Sequence, residues 1–555
     1  MTDQRTAPEW WVGTDEHGGI ANPGRPDTKP PAHWRLEAVA ATERPRQLEL
    51  SPDGMTLAFM LDRDTSDVWT LPVADGHPTR VTTGRPLAAF WDDGNAVWSP
   101  DGTRLAYCQG GKVMVVAAAG GVPTETCAAS GPVWLDDQRL IVGIDHGMVT
   151  ALAVVDIARP WPRPLADAGA DYVTAVVSPD RSQVAYTVFH HDDLNCTSLH
   201  VAEVATGASR VVAHHAGFQL RSPVWSPDGA TLAYAGEWPG WYEVFTVEAA
   251  PGGTPPRQLT TAGADFAELA FSADGASLVA TRSRHGLTDL VRIDTADGSV
   301  VVLAAGGTWS APCPLPDGSV AAVHESFTTP ARVCVVTPTG ELRELFAPTP
   351  AAVRAAPHVV PQHVAYRSFD GKEVYGWLYR PEGASAERPC PVVVQPHGGP
   401  TSLTGDEWDG VAQYFVDKGY AWFALNFRGS TSYGLQFERA NHGVWGVADT
   451  HDCLAAHDHL ATLDWVDPAR VAIFGASYGS YLALHSVVDD PEPRFACAVA
   501  KYGDCDILTS WAQGDLVGRL DLERMMGHPR GSRAEYTAGS PIHRIEHLQV
   551  PILIA

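Results

Sequence analysis

No run of lysines or arginines occurs anywhere in the 555 residues, and acids outnumber bases 65 to 39, for a formal charge of −26. A field of that sign repels phosphate backbones and anionic lipid, so nucleic acid is not an expected partner. Long apolar runs are missing as well. Even the stretch from Leu140 to Ala158 carries Asp145, His146 and Asp156, and no window reaches the ~18 apolar residues of a membrane helix. The first residues, Met1-Thr2-Asp3-Gln4-Arg5, lead into a Pro/Gly-rich stretch and not into the apolar core of a secretory leader. The nine cysteines are widely spread and include no C-x-x-C pair, so neither a zinc ribbon nor dithiol redox exchange is expected. Reduced thiols, no metal, no organic cofactor, no membrane and a cytoplasmic address are the resulting expectations.

What is abundant is turn chemistry, with 52 glycines and 43 prolines scattered through the chain. Much of it is periodic. Ser51-Pro52-Asp53-Gly54, Ser99-Pro100-Asp101-Gly102, Ser178-Pro179-Asp180-Arg181, Ser226-Pro227-Asp228-Gly229 and Ser272-Ala273-Asp274-Gly275 each precede an alternating apolar run, and weaker copies stand at Asp136 and Asp317. The seven aspartates recur at steps of 35 to 48 residues with a mean of 44, the length of one four-stranded propeller blade. In each copy proline presets φ, aspartate bonds the backbone ahead of it and glycine accepts positive φ, so the motif reads as a tight turn between antiparallel strands. Residues 45–350 are therefore expected to form a seven-bladed β-propeller, preceded by an extension over 1–44 that packs on the second domain.

A Pro/Ala-rich passage near 348–357 ends the repeat, and over 351–555 short strands alternate with helical patterns, which predicts a mostly parallel sheet covered by helices. Within it Gly475-Ala476-Ser477-Tyr478-Gly479 follows the apolar run Val471-Ala472-Ile473-Phe474 and opens a helical pattern. That placement is the nucleophile elbow of an α/β-hydrolase, whose glycines permit a cramped strand-to-helix turn that lifts the serine hydroxyl clear of the sheet. Ser477 is the expected nucleophile. The oxyanion formed on attack needs backbone donors, expected from the N–H of Tyr478 and that of Gly399 in the loop His397-Gly398-Gly399-Pro400. His397 itself is expected to be a structural turn residue.

Taken with Asn426-Phe427-Arg428-Gly429-Ser430-Thr431-Ser432-Tyr433-Gly434, these motifs resemble the prolyl oligopeptidase family of serine peptidases, most closely its acylaminoacyl-peptidase and dipeptidyl-aminopeptidase branches. Ser480 departs from the family's usual glycine after the elbow. The resemblance implies a serine exopeptidase or oligopeptidase acting on short peptides from or near the amino terminus, with the propeller gating access. It also implies acidic propeller residues that bind a substrate's free amino group, for which Glu237 and Glu243 are candidates, and Trp511 as a pocket wall. The family's acid and histidine follow the strand that Val550-Pro551-Ile552-Leu553-Ile554-Ala555 resembles, so both are expected beyond Ala555 and the hydrolase is expected to be C-terminally incomplete. Asp504 or Asp506 with His543 or His547 is a weaker substitute, because both histidines precede that strand. The pairs His190-His191-Asp192-Asp193 and His451-Asp452 with His457-Asp458-His459 read as solvated loop and helix surface. An esterase or amidase on small acyl compounds, and a catalytically dead binding module, are the competing functions. The oligomeric state is left open, a homo-oligomer included.

Overall fold

The computed structural model describes residues 34–62, 66–83, 94–145, 150–167 and 174–555. The repeat motif folds as its chemistry dictates. In one copy the Ser99 hydroxyl donates to Asp101 Oδ1 at 2.6 Å and accepts from the Arg104 N–H at 2.9 Å, while Asp101 Oδ1 accepts from the Thr103 N–H at 3.0 Å. The Gly102 N–H closes the turn on the Ser99 carbonyl at 2.8 Å. The Ser51, Ser178, Ser226 and Ser272 hydroxyls repeat the bond to their aspartates at 2.5 to 2.7 Å. Each turn joins the first two strands of a four-stranded antiparallel meander.

Five such meanders stand as separate sheets, over 44–80, 94–128, 130–167, 175–214 and 220–258. The expected seven separate blades are corrected to five, because the eight strands from 265 to 346 form one sheet. The reason lies in strand length. Leu287–Asp294 runs past its partner Val300–Ala304, whose pairing ends at Leu290, and the protruding Thr288 pairs in parallel with Thr308 of the next meander. The ring closes through side chains: Leu57, Phe59 and Leu71 of the first sheet share a core with Ala321, Val333 and Val335 of the last.

The second domain is a seven-stranded sheet of β1 (Gln362–Arg367), β2 (Glu373–Tyr379), β3 (Cys390–Pro396), β4 (Ala421–Asn426), β5 (Val466–Ala476), β6 (Cys497–Lys501) and β7 (Ile552–Ile554), ordered β1-β2-β4-β3-β5-β6-β7. Only β1–β2 and β2–β4 pair antiparallel. Both faces are covered, as apolar runs without polar alternation demand. Val392, Val394, Phe423 and Leu425 point to a core shared with Cys453, Tyr481 and Leu482, whereas Val393, Trp422 and Ala424 point to one shared with Ala412, Val416 and the propeller's Phe327. A short helix, α1 (Leu36–Ala40), lies near α2 (Gly410–Asp417), with the Trp34 indole N–H donating to the Pro357 carbonyl at 3.1 Å.

The two domains are joined by polar contacts centred on the Asn426–Gly434 segment. The Ser432 N–H donates to Asp265 Oδ2 at 3.1 Å, the His285 N–H donates to the Ser432 carbonyl at 2.7 Å, and the Leu435 N–H to the Gly240 carbonyl at 2.9 Å. Asp406 reaches back, accepting from the Gly307 and Phe327 N–H groups at 2.9 and 2.7 Å.

Candidate active site around Ser477

Strand β5 ends at Ala476 and helix α4 (Tyr478–Val488) begins two residues on, so Ser477 alone makes the turn. It does so at φ 53°, ψ −125°, a left-handed conformation for a residue with a side chain. Such strain costs on the order of 1–3 kcal/mol and persists where its surroundings enforce it. Here they are two glycines. A Cβ on Gly475 would stand 2.1 Å from the Gly479 carbonyl carbon, and one on Gly479 would stand 2.1 Å from the Pro396 carbonyl oxygen. Because that oxygen is backbone and cannot swing away, Gly479→Ala should cost roughly 3 kcal/mol, read as a lowered urea midpoint. Ser480, the departure from the family pattern, is fully buried and packs against Gly503, where an added Cβ would lie 2.4 Å from its own.

Gly399 and Tyr478 line the same cavity of about 550 Å³ as Ser477, together with Trp445, Tyr502 and Asp504. The loop carrying Gly399 lies against the elbow: a Cβ on Gly398 would be 3.4 Å from that of Ser477. His397 is held beneath. Its Nδ1–H donates to the Gly398 carbonyl at 2.6 Å, its Nε2 lies 2.8 Å from Ser430 Oγ, whose hydroxyl also reaches the Phe427 carbonyl at 2.7 Å, and burial lowers its pKa to about 4. The ring stacks on Phe427, so its place is structural.

Tyr478 is anchored by groups that no motif announced. Its hydroxyl donates to Asp449 on helix α3 (Ala448–Leu460), and Asn441 Nδ2 reaches both, at 3.4 Å to the hydroxyl and 3.5 Å to the carboxylate. Trp445 packs edge-on to the Tyr478 ring at 4.7 Å. Burial pushes the Asp449 pKa up to about 6, against the lowering effect of the Tyr478 hydrogen bond. The folded chain thus holds this proton more tightly than the unfolded one, and stability should fall as pH rises from about 4 through about 6. Urea unfolding at pH 4.5 and 7 should show this loss, on the order of 2 kcal/mol, shrinking in Asp449→Asn. The solvated helix surface expected at Asp452 is corrected: its side chain, like that of Asp449 on the same helix, is wholly buried.

The other sequence candidates fall elsewhere. Glu237 is buried and ion-paired to Arg439 of the second domain at 2.5 Å, while accepting from the Gln219 N–H. Glu243 is buried too, accepting from the Thr260 hydroxyl at 2.5 Å and the Gly263 N–H at 2.7 Å. Neither lines the cavity with Ser477, and their carboxylates already have partners. Trp511 sits on α5 (Ile507–Gln513), whose Thr509, Ser510 and Gln513 do face the cavity, but its indole N–H donates to Glu523 at 2.9 Å and its ring meets His528. The structure thus places these three candidates outside the lining of the Ser477 cavity, each with a partner of its own. Asp506 caps α5 through the Leu508 and Thr509 N–H groups, and no histidine lines the cavity among the described residues.

Comparison with known proteins follows the same division. Residues 407–555 match the model of the prolyl oligopeptidase family, and residues 143–365 that of the TolB beta propeller domain. Dipeptidyl aminopeptidase BIII of Pseudoxanthomonas mexicana is 30% identical over 230 residues, covering 39% of this chain and 32% of that protein. The acylamino-acid-releasing enzyme of Sus scrofa is 29% identical over 269 residues, covering 44% and 36%. The matched region thus spans about a third of the length of these curated relatives. A puromycin-hydrolyzing peptidase of Mycobacterium tuberculosis superposes with a TM-score of 0.82 at 22% identity, over 93% of this chain and 86% of that one. With a propeller model matched in the first domain and the prolyl oligopeptidase family model over 407–555 of the second, the chain is similar to the peptidases of that family in both halves.

Proposed function

We propose that this protein is a serine peptidase that cleaves short peptides at or near the amino terminus through an acyl-enzyme on Ser477. The observation that carries the reading is the strained serine between β5 and α4, with a glycine loop packed against it and a cavity in front. Backbone strain at a residue with a side chain is a recurrent feature of active sites. In this reading Ser477 Oγ attacks the scissile carbonyl, and the Gly399 and Tyr478 amides receive the developing oxyanion. The chemistry requires a histidine base and an orienting acid beside Ser477, since a serine without its base is a weak nucleophile.

The relatives support peptide over simple ester substrates, and the propeller joined to the hydrolase through Asp406, Ser432 and Arg439 supports a gate that admits only short or unfolded chains. All nine cysteines are free thiols, which supports the cytoplasmic address. No helix among the described residues is long and apolar enough to cross a membrane. Hydrolysis of aminoacyl-, dipeptidyl- and acylaminoacyl-nitroanilides, set beside nitrophenyl esters, tests the substrate class. At least one of the peptide-like substrates should be turned over with the higher kcat/KM, and activity confined to the esters would overturn the peptidase assignment.

A further inference from the structure

We propose that His190, Cys196 and His214 form a zinc-binding site at one end of the sheet over 175–214. Three neighbouring strands, Gln183–Phe189, Thr197–Glu203 and Ser209–His214, deliver the ligands. His190 follows the first strand, Cys196 precedes the second, and His214 ends the third. The pairings Phe189↔Thr197 and Ser198↔His214 bring all three to the same edge. A further hydrogen bond, from the His190 N–H to the Cys196 carbonyl at 3.3 Å, pins the first two.

One ligand atom from each residue lies within 4.8 Å of the others. Cys196 Sγ is 3.6 Å from His214 Nδ1. A tetrahedral zinc ion with bonds of about 2.3 Å to sulfur and 2.0–2.1 Å to nitrogen places those two ligands about 3.6 Å apart, so this pair needs little rearrangement. The surroundings orient the ligands. The Ser198 hydroxyl bridges His190 Nε2 at 2.8 Å and His200 Nε2 at 2.9 Å, an outer contact of the sort that fixes a metal-bound imidazole. Cys196 is buried, whereas His214 is exposed, so an ion has an approach from solvent.

Thiolate with two imidazoles selects zinc over magnesium or calcium, which prefer oxygen. Asp193 is not free to join as a fourth ligand without rearrangement, since its carboxylate accepts from the Asn195 and Gly217 N–H groups at 3.1 and 2.9 Å. Water therefore fills the remaining position. Binding displaces the Cys196 thiol proton: the S–H bond breaks, an S–Zn bond forms, and one proton is released per ion bound.

The test is a titration of the full chain, stripped with chelator and desalted, with Zn²⁺ against a chromophoric competitor and with Co²⁺ followed by absorption. Expected are one Zn²⁺ per chain at micromolar affinity or tighter and a thiolate-to-cobalt charge-transfer band in the near ultraviolet. Cys196→Ser should abolish the band and weaken Zn²⁺ more than about 100-fold. Replacing the exposed Cys505 with serine should change neither. His214→Ala, at an exposed strand end, provides a second variant should the buried cysteine prove necessary for folding, and it too should weaken Zn²⁺ strongly. Absence of stoichiometric binding by the unmodified chain, or affinity unchanged in either ligand variant, would overturn the site.

Discussion

Ser477→Ala should remove hydrolysis by the whole protein, by at least about 10³-fold in kcat, while shifting its stability by less than about 1 kcal/mol. The first part follows from the role assigned to Ser477 Oγ. With the nucleophile gone, oxyanion donors and binding can supply only residual catalysis, and neither depends on an acyl intermediate. The second follows from the elbow's construction. Its conformation is enforced by Gly475 and Gly479 against backbone carbonyls, and an alanine Cβ occupies the place of the serine Cβ at the same φ and ψ. Rates on the nitroanilide series and a urea titration, run on the same two preparations, separate the contributions. Rate loss accompanied by collapse of stability would make Ser477 a folding residue. Unchanged rates would return the chain to a binding module whose hydrolase domain is only a scaffold.

Asp452→Ala should be the most damaging single change to stability, costing about 3–5 kcal/mol. The Asp452 carboxylate is wholly buried and accepts from the Arg428 N–H and Nε at 2.9 Å, from Arg428 Nη2 at 2.8 Å and from the Ser368 hydroxyl at 2.6 Å. Its removal strands a guanidinium that is itself buried, and leaves Arg428 only Asp370 at 2.9 and 3.1 Å. Asp370 is a third exposed, so Asp370→Ala should cost no more than about 1 kcal/mol despite an equally good bidentate geometry. Replacing Arg428 and Asp452 together with apolar residues should recover much of the loss, because the penalty is the uncompensated charge and not the missing attraction. Urea midpoints of the three variants give the ordering.

These two residues also show what the sequence could and could not reveal. Ser477 was legible because the signal is local: a strand, two glycines and a helix adjacent in the chain are enough to define the elbow. The turns were legible for the same reason, since Ser99 and Asp101 satisfy each other and the intervening backbone without help. Blade separation was not, because the parallel pairing of Thr288 with Thr308 depends on how far one strand outruns another, a difference of two residues that motif spacing does not register. The role of Arg428 was hidden inside a motif noticed only as a resemblance. The ion pair of Glu237 was hidden because its partner, Arg439, lies 202 residues further along the chain. Asp449 escaped because a buried acid that anchors an active-site tyrosine has no spacing rule, only a helix face that a packed neighbour defines.

The account turns on Ser477 as the nucleophile, and a serine-directed fluorophosphonate tests it most directly. Labelling the whole protein and mapping the adduct by peptide mass spectrometry should place the phosphonyl group on Ser477, with no adduct in Ser477→Ala. A label found on another serine of the unmodified protein, or none at all, would contradict it.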